Sequence, residues 1–80
     1  MNNIIVVSIC EKSIGEKNII GYEFRFSGTF DGQRINKINV YSDVGFRLGE
    51  QYILNLSICN VELSCLNAKL LYSKELKKYL

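Results

Sequence analysis

Tyr22-Glu23-Phe24-Arg25-Phe26-Ser27-Gly28-Thr29-Phe30-Asp31-Gly32-Gln33-Arg34-Ile35-Asn36-Lys37-Ile38-Asn39-Val40-Tyr41-Ser42 is the stretch whose reading decides the fold. From Tyr22 to Ser27, apolar and polar residues alternate with a period of two, the spacing of a strand with one face buried. Asp31-Gly32 is a turn signal, and Ile35 to Ser42 alternates again, so the stretch reads as a β-hairpin. Register decides the rest. A two-residue loop at Asp31-Gly32 would set Phe24 against Asn39 and Phe26 against Lys37, mixing core and solvent on each face, and is therefore not expected. A three-residue loop Phe30-Asp31-Gly32, with Gly32 left-handed in a G1 bulge, sets Phe24 against Ile38 and Tyr22 against Val40. That register leaves Arg25 across from Lys37 and Glu23 across from Asn39 on a polar outer face. Tyr22, Phe24, Phe26, Ile38 and Val40 then point to a core.

The strands outward from this hairpin follow from the same periodicities. Ile4 to Cys10 is apolar at nearly every position, which predicts a central strand covered from both sides. Glu11 to Gly21 is polar, with Gly15 and Gly21, and reads as a mobile loop, with Ile19-Ile20 opening the next strand or folding onto the core. Asp43 to Glu50 is too short for two turns and a helix, so it predicts a tight connection. Gln51 to Cys59 alternates, with Tyr52, Leu54, Leu56 and Ile58 on one face, and predicts a fourth strand. Asn60 to Ser73 is consistent with a hairpin turning at Leu66-Asn67 or with one last strand starting near Asn67, and the single strand is the preferred reading. Ser73 is a suitable N-cap, and Leu76, Tyr79 and Leu80 form a stripe at helical spacing, so Lys74 to Leu80 is expected to be a short docked helix. The expected architecture is an all-β, small five-stranded antiparallel barrel with a short C-terminal helix, an SH3-like barrel being the alternative.

Composition bounds the function. Eighty residues form one expected domain, 1–80, near the size at which a single core only just offsets chain entropy. Ten basic against eight acidic residues, a net charge of +2, does not by itself require nucleic acid or an acidic membrane surface. The apolar run at Ile4 to Cys10 falls far short of the ~20 residues of a membrane-spanning helix and has no basic residue before it, so no signal peptide or membrane association is expected. Three cysteines, Cys10, Cys59 and Cys65, without paired spacing predict reduced thiols in a cytoplasmic protein, with Cys10 and Cys59 inside apolar runs. There is no histidine, and no phosphate-loop glycine pattern. Neither a catalytic function nor a metal or other cofactor is therefore expected.

Strands in meander order, a long first strand, a tightly turned second hairpin and no helix between strands three and four resemble the OB-fold superfamily. Within it they look like the small single-strand-binding modules of the primosomal replication protein B or cold-shock kind. That resemblance implies a ligand face on the outside of strands two and three and the flanking loops. Carried onto this sequence, the nucleic-acid-binding candidates are Arg25, Lys37, Asn39 and Tyr41 on the face, Arg34 at the turn and Arg47 in the next loop. The four cations imply about four phosphate contacts and a log-log salt slope near about −3, with Tyr41 as a stacking residue. The alternative function is a protein-interaction or homo-oligomerisation barrel, in which Ile35, Tyr41 or Phe46, or an open strand edge, meets another protein or a second copy.

Overall fold

A computed structural model describes residues 2–76 of the chain, without the side chain of Glu16. Five strands follow one another: β1 (Asn3–Glu16), β2 (Ile19–Phe30), β3 (Gln33–Tyr41), β4 (Gln51–Glu62) and β5 (Cys65–Glu75). They close into a barrel in the order β1-β2-β3-β5-β4, compatible with an OB-like fold. The order corrects one expectation. The strands are not a meander, because β5 lies between β3 and β4; the pairs are antiparallel except β3 and β5, which run parallel. The physical reason is the hairpin β4–β5: its antiparallel ladder turns the chain back so that β5 meets the free edge of β3 in the same direction.

The central hairpin has the register its two faces demand. Tyr22 lies opposite Val40, Phe24 opposite Ile38 and Arg25 opposite Lys37. The extra residue that sets this parity is not in the loop, however. Asp31 and Gly32 form a two-residue turn with φ of 52° and 76°, and Phe30 pairs with Gln33. Instead the ladder slips between Arg25 and Gly28, where Phe26 and Ser27 face Asn36 alone. This is a bulge within the strand, and it bends β2 and turns Ile35 into the core.

The core holds Cys10, Phe24, Ile35, Ile38, Val40, Leu54, Leu56, Leu66 and Ala68, with alternate residues of β4 buried from Tyr52 to Ile58. Loop 42–50 is helix-free, as its length predicts, and drops Phe46 into one end of the barrel. There Phe46 meets Tyr22, Phe24 and Tyr52 edge to face, with ring centroids 5.1, 5.1 and 4.8 Å away. The Tyr52 hydroxyl accepts the Arg47 N–H at 2.8 Å, which pins the loop over the plug. Phe46 and Ile35, expected as exposed contact residues, are therefore buried.

Other boundaries differ from the sequence reading. Residues 11–21 are not a loop: β1 runs on to Glu16, turns at Lys17-Asn18 and returns as β2, making a two-stranded arm. The β4–β5 turn is Leu63-Ser64, both at positive φ, rather than Leu66-Asn67, and β5 starts at Cys65. Lys74 and Glu75 are the end of that strand, where a first helical turn was expected, and the Leu76 N–H still bonds to the Gln51 carbonyl at 2.9 Å. The remainder of the expected helix, 77–80, lies outside the described residues. Nor is β1 covered on both sides, since Ile5 is 69% and Val7 54% exposed. No helix among the described residues is long and apolar enough to cross a membrane.

Candidate nucleic-acid interface

The β1–β2 arm rises beside the outer face of β2 and β3 and encloses a groove of about 480 Å³. Lys12, Ile14 and Ile19 line it from the arm, and Glu23, Lys37, Asn39 and Tyr41 from the sheet. This arrangement follows from local sequence. A bulge at Glu11 reorients β1 between Cys10 and Lys12, so that the strand leaves β4 and pairs with β2. Gly21 sits opposite Tyr41, and a Cβ there would lie only 3.0 Å from Tyr41 Cδ1. The missing side chain leaves room for the edge of the tyrosine ring. Its hydroxyl reaches Asn67 Oδ1 at 3.4 Å.

A chain of amides supports the floor. Asn39 Nδ2 donates to Asn67 Oδ1 at 3.3 Å, and Asn67 Nδ2 donates to Asn60 Oδ1 at 2.7 Å, joining β3, β5 and β4 on the outer surface. Asn39 Oδ1 is buried and has no partner among the described residues. The cations of the face are accompanied by carboxylates. Arg25 Nε donates to Glu11 Oε1 at 2.7 Å, and Lys37 Nζ stands 3.6 Å from Glu23 Oε1. The Arg25–Glu11 pair is exposed and worth about 0–1 kcal/mol, whereas Lys37 and Glu23 are half-buried.

Of the six residues expected to form the site, the groove brings together Lys37, Asn39 and Tyr41. Arg25 is their neighbour across the ladder but points to Glu11. Arg34, near the hairpin turn opposite Thr29, and Arg47, in loop 42–50, are exposed but do not line it. Lys12, Ile14, Ile19 and Glu23 are lining residues that the sequence reading left out. The signal for the arm was present as the alternation Lys12, Ile14 against Ser13, Gly15, masked by the polarity of the segment.

The thiols divide by environment. Cys10 and Cys65 are buried and Cys59 is exposed, and all three are free. Cys59 was expected inside; the register slip between Ile58 and Asn60 places it outward instead. Burial pushes the Cys10 thiol pKa up, with the Glu11 charge adding to it, and burial likewise raises that of Cys65. Among the described residues no group of three His, Cys, Asp or Glu side chains could hold a metal. No family model, curated protein or solved structure matches the chain.

Proposed function

We propose that this barrel is a non-catalytic binding module that takes single-stranded nucleic acid along the outer face of β2 and β3. The observation that carries the reading is the groove between arm and sheet, which one aromatic ring, Tyr41, lines together with two lysines. A stacked base needs a π face, and the phosphates on either side of it need cations. Tyr41 supplies the first, and Lys12, Lys37 and neighbouring Arg25 the second. A location in the cytoplasm fits the free thiols.

The test is a titration of fluorescent oligonucleotide at several salt concentrations. About three phosphate contacts give a log-log slope of about −2, at 0.7 per contact, shallower than the slope of about −3 implied by all four arginine and lysine candidates. Tyr41→Ala is expected to weaken binding by about 1–3 kcal/mol with the slope unchanged. Absence of binding in dilute buffer refutes the reading.

A second reading, pairing with another copy of the chain, is favoured by a different observation. The Ile58 N–H bonds to the Asn2 carbonyl and the Cys10 N–H to the Glu50 carbonyl, both at 3.0 Å. In an antiparallel ladder bonding alternates, so the even residues of β1 face β4 and the backbone groups of Asn3, Ile5, Val7 and Ile9 face away from it. The ladder with β2 begins only at Cys10 and Phe24. That leaves a strand edge with exposed apolar side chains and no charged residue from Asn2 to Cys10. The two readings meet at Arg25, which also lines the cavity beside Val6, Val7 and Ile9, whereas Lys12, Lys37 and Tyr41 lie on the groove alone.

A further inference from the structure

We infer that the groove is a nucleobase pocket selective for guanine, with Tyr41 as its floor and the Glu23 carboxylate as the group that reads the base edge. The inference rests on the single-strand reading above and adds to it the identity of the base. Three features of the groove combine.

The first is a platform of fixed orientation. One edge of the Tyr41 ring packs against Gly21, where a Cβ would stand 3.0 Å from Cδ1, and the hydroxyl lies 3.4 Å from Asn67 Oδ1, so the side chain runs across β3 from β2 toward β5. It is 36% exposed, which leaves one face open to the groove. Ile19, 57% exposed on the arm, stands across the opening as the apolar wall. A planar ring sandwiched between an aromatic and an aliphatic side chain is the arrangement that unstacked bases seek.

The second is the reach from platform to edge. Gly21 pairs with Tyr41 and Glu23 with Asn39, so Glu23 is one same-face step along β2 from the platform. Two strand residues span about 6.6 Å, the scale of a base measured from its stacked centre to groups just beyond its edge. A base stacked on Tyr41 therefore turns its rim toward Glu23 and Lys37, both of which line the cavity.

The third is the pattern offered there. An ionised carboxylate accepts two parallel N–H bonds, and a lysine ammonium only donates. Guanine alone among the four DNA bases has two adjacent donors, N1–H and the N2 amino group, on its Watson–Crick edge, and beside them the O6 acceptor. Glu23 takes the two donors, and Lys37, whose ammonium carries three N–H donors, gives one to the oxygen and keeps the others for a phosphate. Adenine and cytosine set a lone pair beside a single amino group, and thymine sets one donor between two acceptors, so each leaves part of the carboxylate facing an acceptor. The Glu23–Lys37 separation of 3.6 Å is longer than a tight charged hydrogen bond, so both groups have free capacity for the base.

The experiment compares nine-residue oligonucleotides, too short to form folded guanine structures: all-thymine, the same strand with one central guanine, and the same strand with inosine in that place. Inosine keeps O6 and N1–H and lacks the N2 amino donor. Wild-type protein is expected to bind the guanine strand about ten-fold more tightly than the all-thymine strand, the discrimination typical of one bidentate contact. Inosine is expected to remove most of that ratio, and Glu23→Gln to reduce it to about two-fold. Equal affinity for the thymine and guanine strands overturns the guanine assignment while leaving single-strand binding in place. Binding to none of the strands overturns both. A ratio unchanged by inosine, or by Glu23→Gln, removes Glu23 as the reader, and the inosine measurement does so on the wild-type protein alone.

Discussion

Gly21 carries more of the site than any charged residue, because its effect is steric and has no easy substitute. A methyl group there meets Tyr41 Cδ1 at 3.0 Å, the Val40 carbonyl at 3.1 Å and Ile14 Cγ1 at 3.2 Å, so backbone and two side chains must all yield. Gly21→Ala is expected to cost about 1–3 kcal/mol of stability, as overpacking does, and to tilt Tyr41 off the strand. Chemical denaturation measures the first effect and oligonucleotide affinity the second; unchanged affinity would show that the contact of Tyr41 with Gly21 is irrelevant to binding. The thiols give a prediction of a different kind. Cys59 is expected to react with a disulfide reagent at once, whereas Cys10 and Cys65 wait for the barrel to open. Because burial raises the Cys10 and Cys65 pKa above the ordinary 9.0, the native state keeps protons that the unfolded chain loses. The resulting stability is fully present below pH 9 and declines as the pH rises through the native values. Melting temperatures across that range should fall less steeply for Cys10→Ala than for wild type. The outer-face residues Lys37, Asn39 and Tyr41 were legible because alternation assigns sides. Gly21 was not, because a glycine in a strand and a glycine in a loop look alike until its cross-strand partner is known.

At the scale of elements, the turns separate what patterning can specify from what it cannot. Asp31-Gly32 has residues that tolerate positive φ, and the sequence marks it plainly. Leu63-Ser64 adopts φ of 51° and 61° with neither glycine nor asparagine, so nothing local announces it; the preferred reading was one last strand starting near Asn67, with a hairpin turning at Leu66-Asn67 as the other option. The ladder of β4 and β5 dictates that turn from outside, holding two residues in a region that L side chains disfavour by about 1 kcal/mol each. Replacing the pair by Asn-Gly is therefore expected to stabilise the protein by about 1 kcal/mol or more, read as a higher denaturant midpoint with an unchanged slope. Leu63 is 94% exposed, so no packing is lost to offset the gain. A lower midpoint would show that the positive φ of Leu63-Ser64 carries no relievable strain. The bulge at Phe26-Ser27 teaches the same lesson in the other direction. Parity along the sequence required an extra residue somewhere in the hairpin, and the core dictated how many; where it went was decided by the preference of Asp31-Gly32 for a two-residue turn and by the packing of Ile35.

For the whole molecule, a barrel closed by a long first strand shared between two neighbours has one weak seam. β1 gives its first half to β4 and its second half to β2, and where it changes partner the Ser8 hydroxyl donates to the Arg25 carbonyl, a side chain in the place of a ladder bond. On the open side of that seam lie Ile5 and Val7, and across β4 and β5 the same outer surface continues through Ile53 to Tyr72, which is 63% exposed. The apolar run suggested a strand buried on both faces, but only one face of β1 meets the core, and the other meets solvent in the single chain. Two β1 edges paired antiparallel about a two-fold axis would satisfy the outward backbone groups and set Ile5 and Val7 of one copy beside those of the other. The expected outcome is a dimer in sedimentation at micromolar concentration, converted to monomer by Val7→Lys with the circular dichroism of the barrel retained. Amide exchange checks the geometry residue by residue. The N–H groups of Ile4, Val6 and Ser8 bond to β4 and are protected at every concentration, whereas those of Ile5, Val7 and Ile9 gain protection only as protein concentration rises. Uniform protection along β1, or a wild-type protein that stays monomeric at high concentration, would leave this edge closed to a second copy and the nucleic-acid groove as the working face of the barrel.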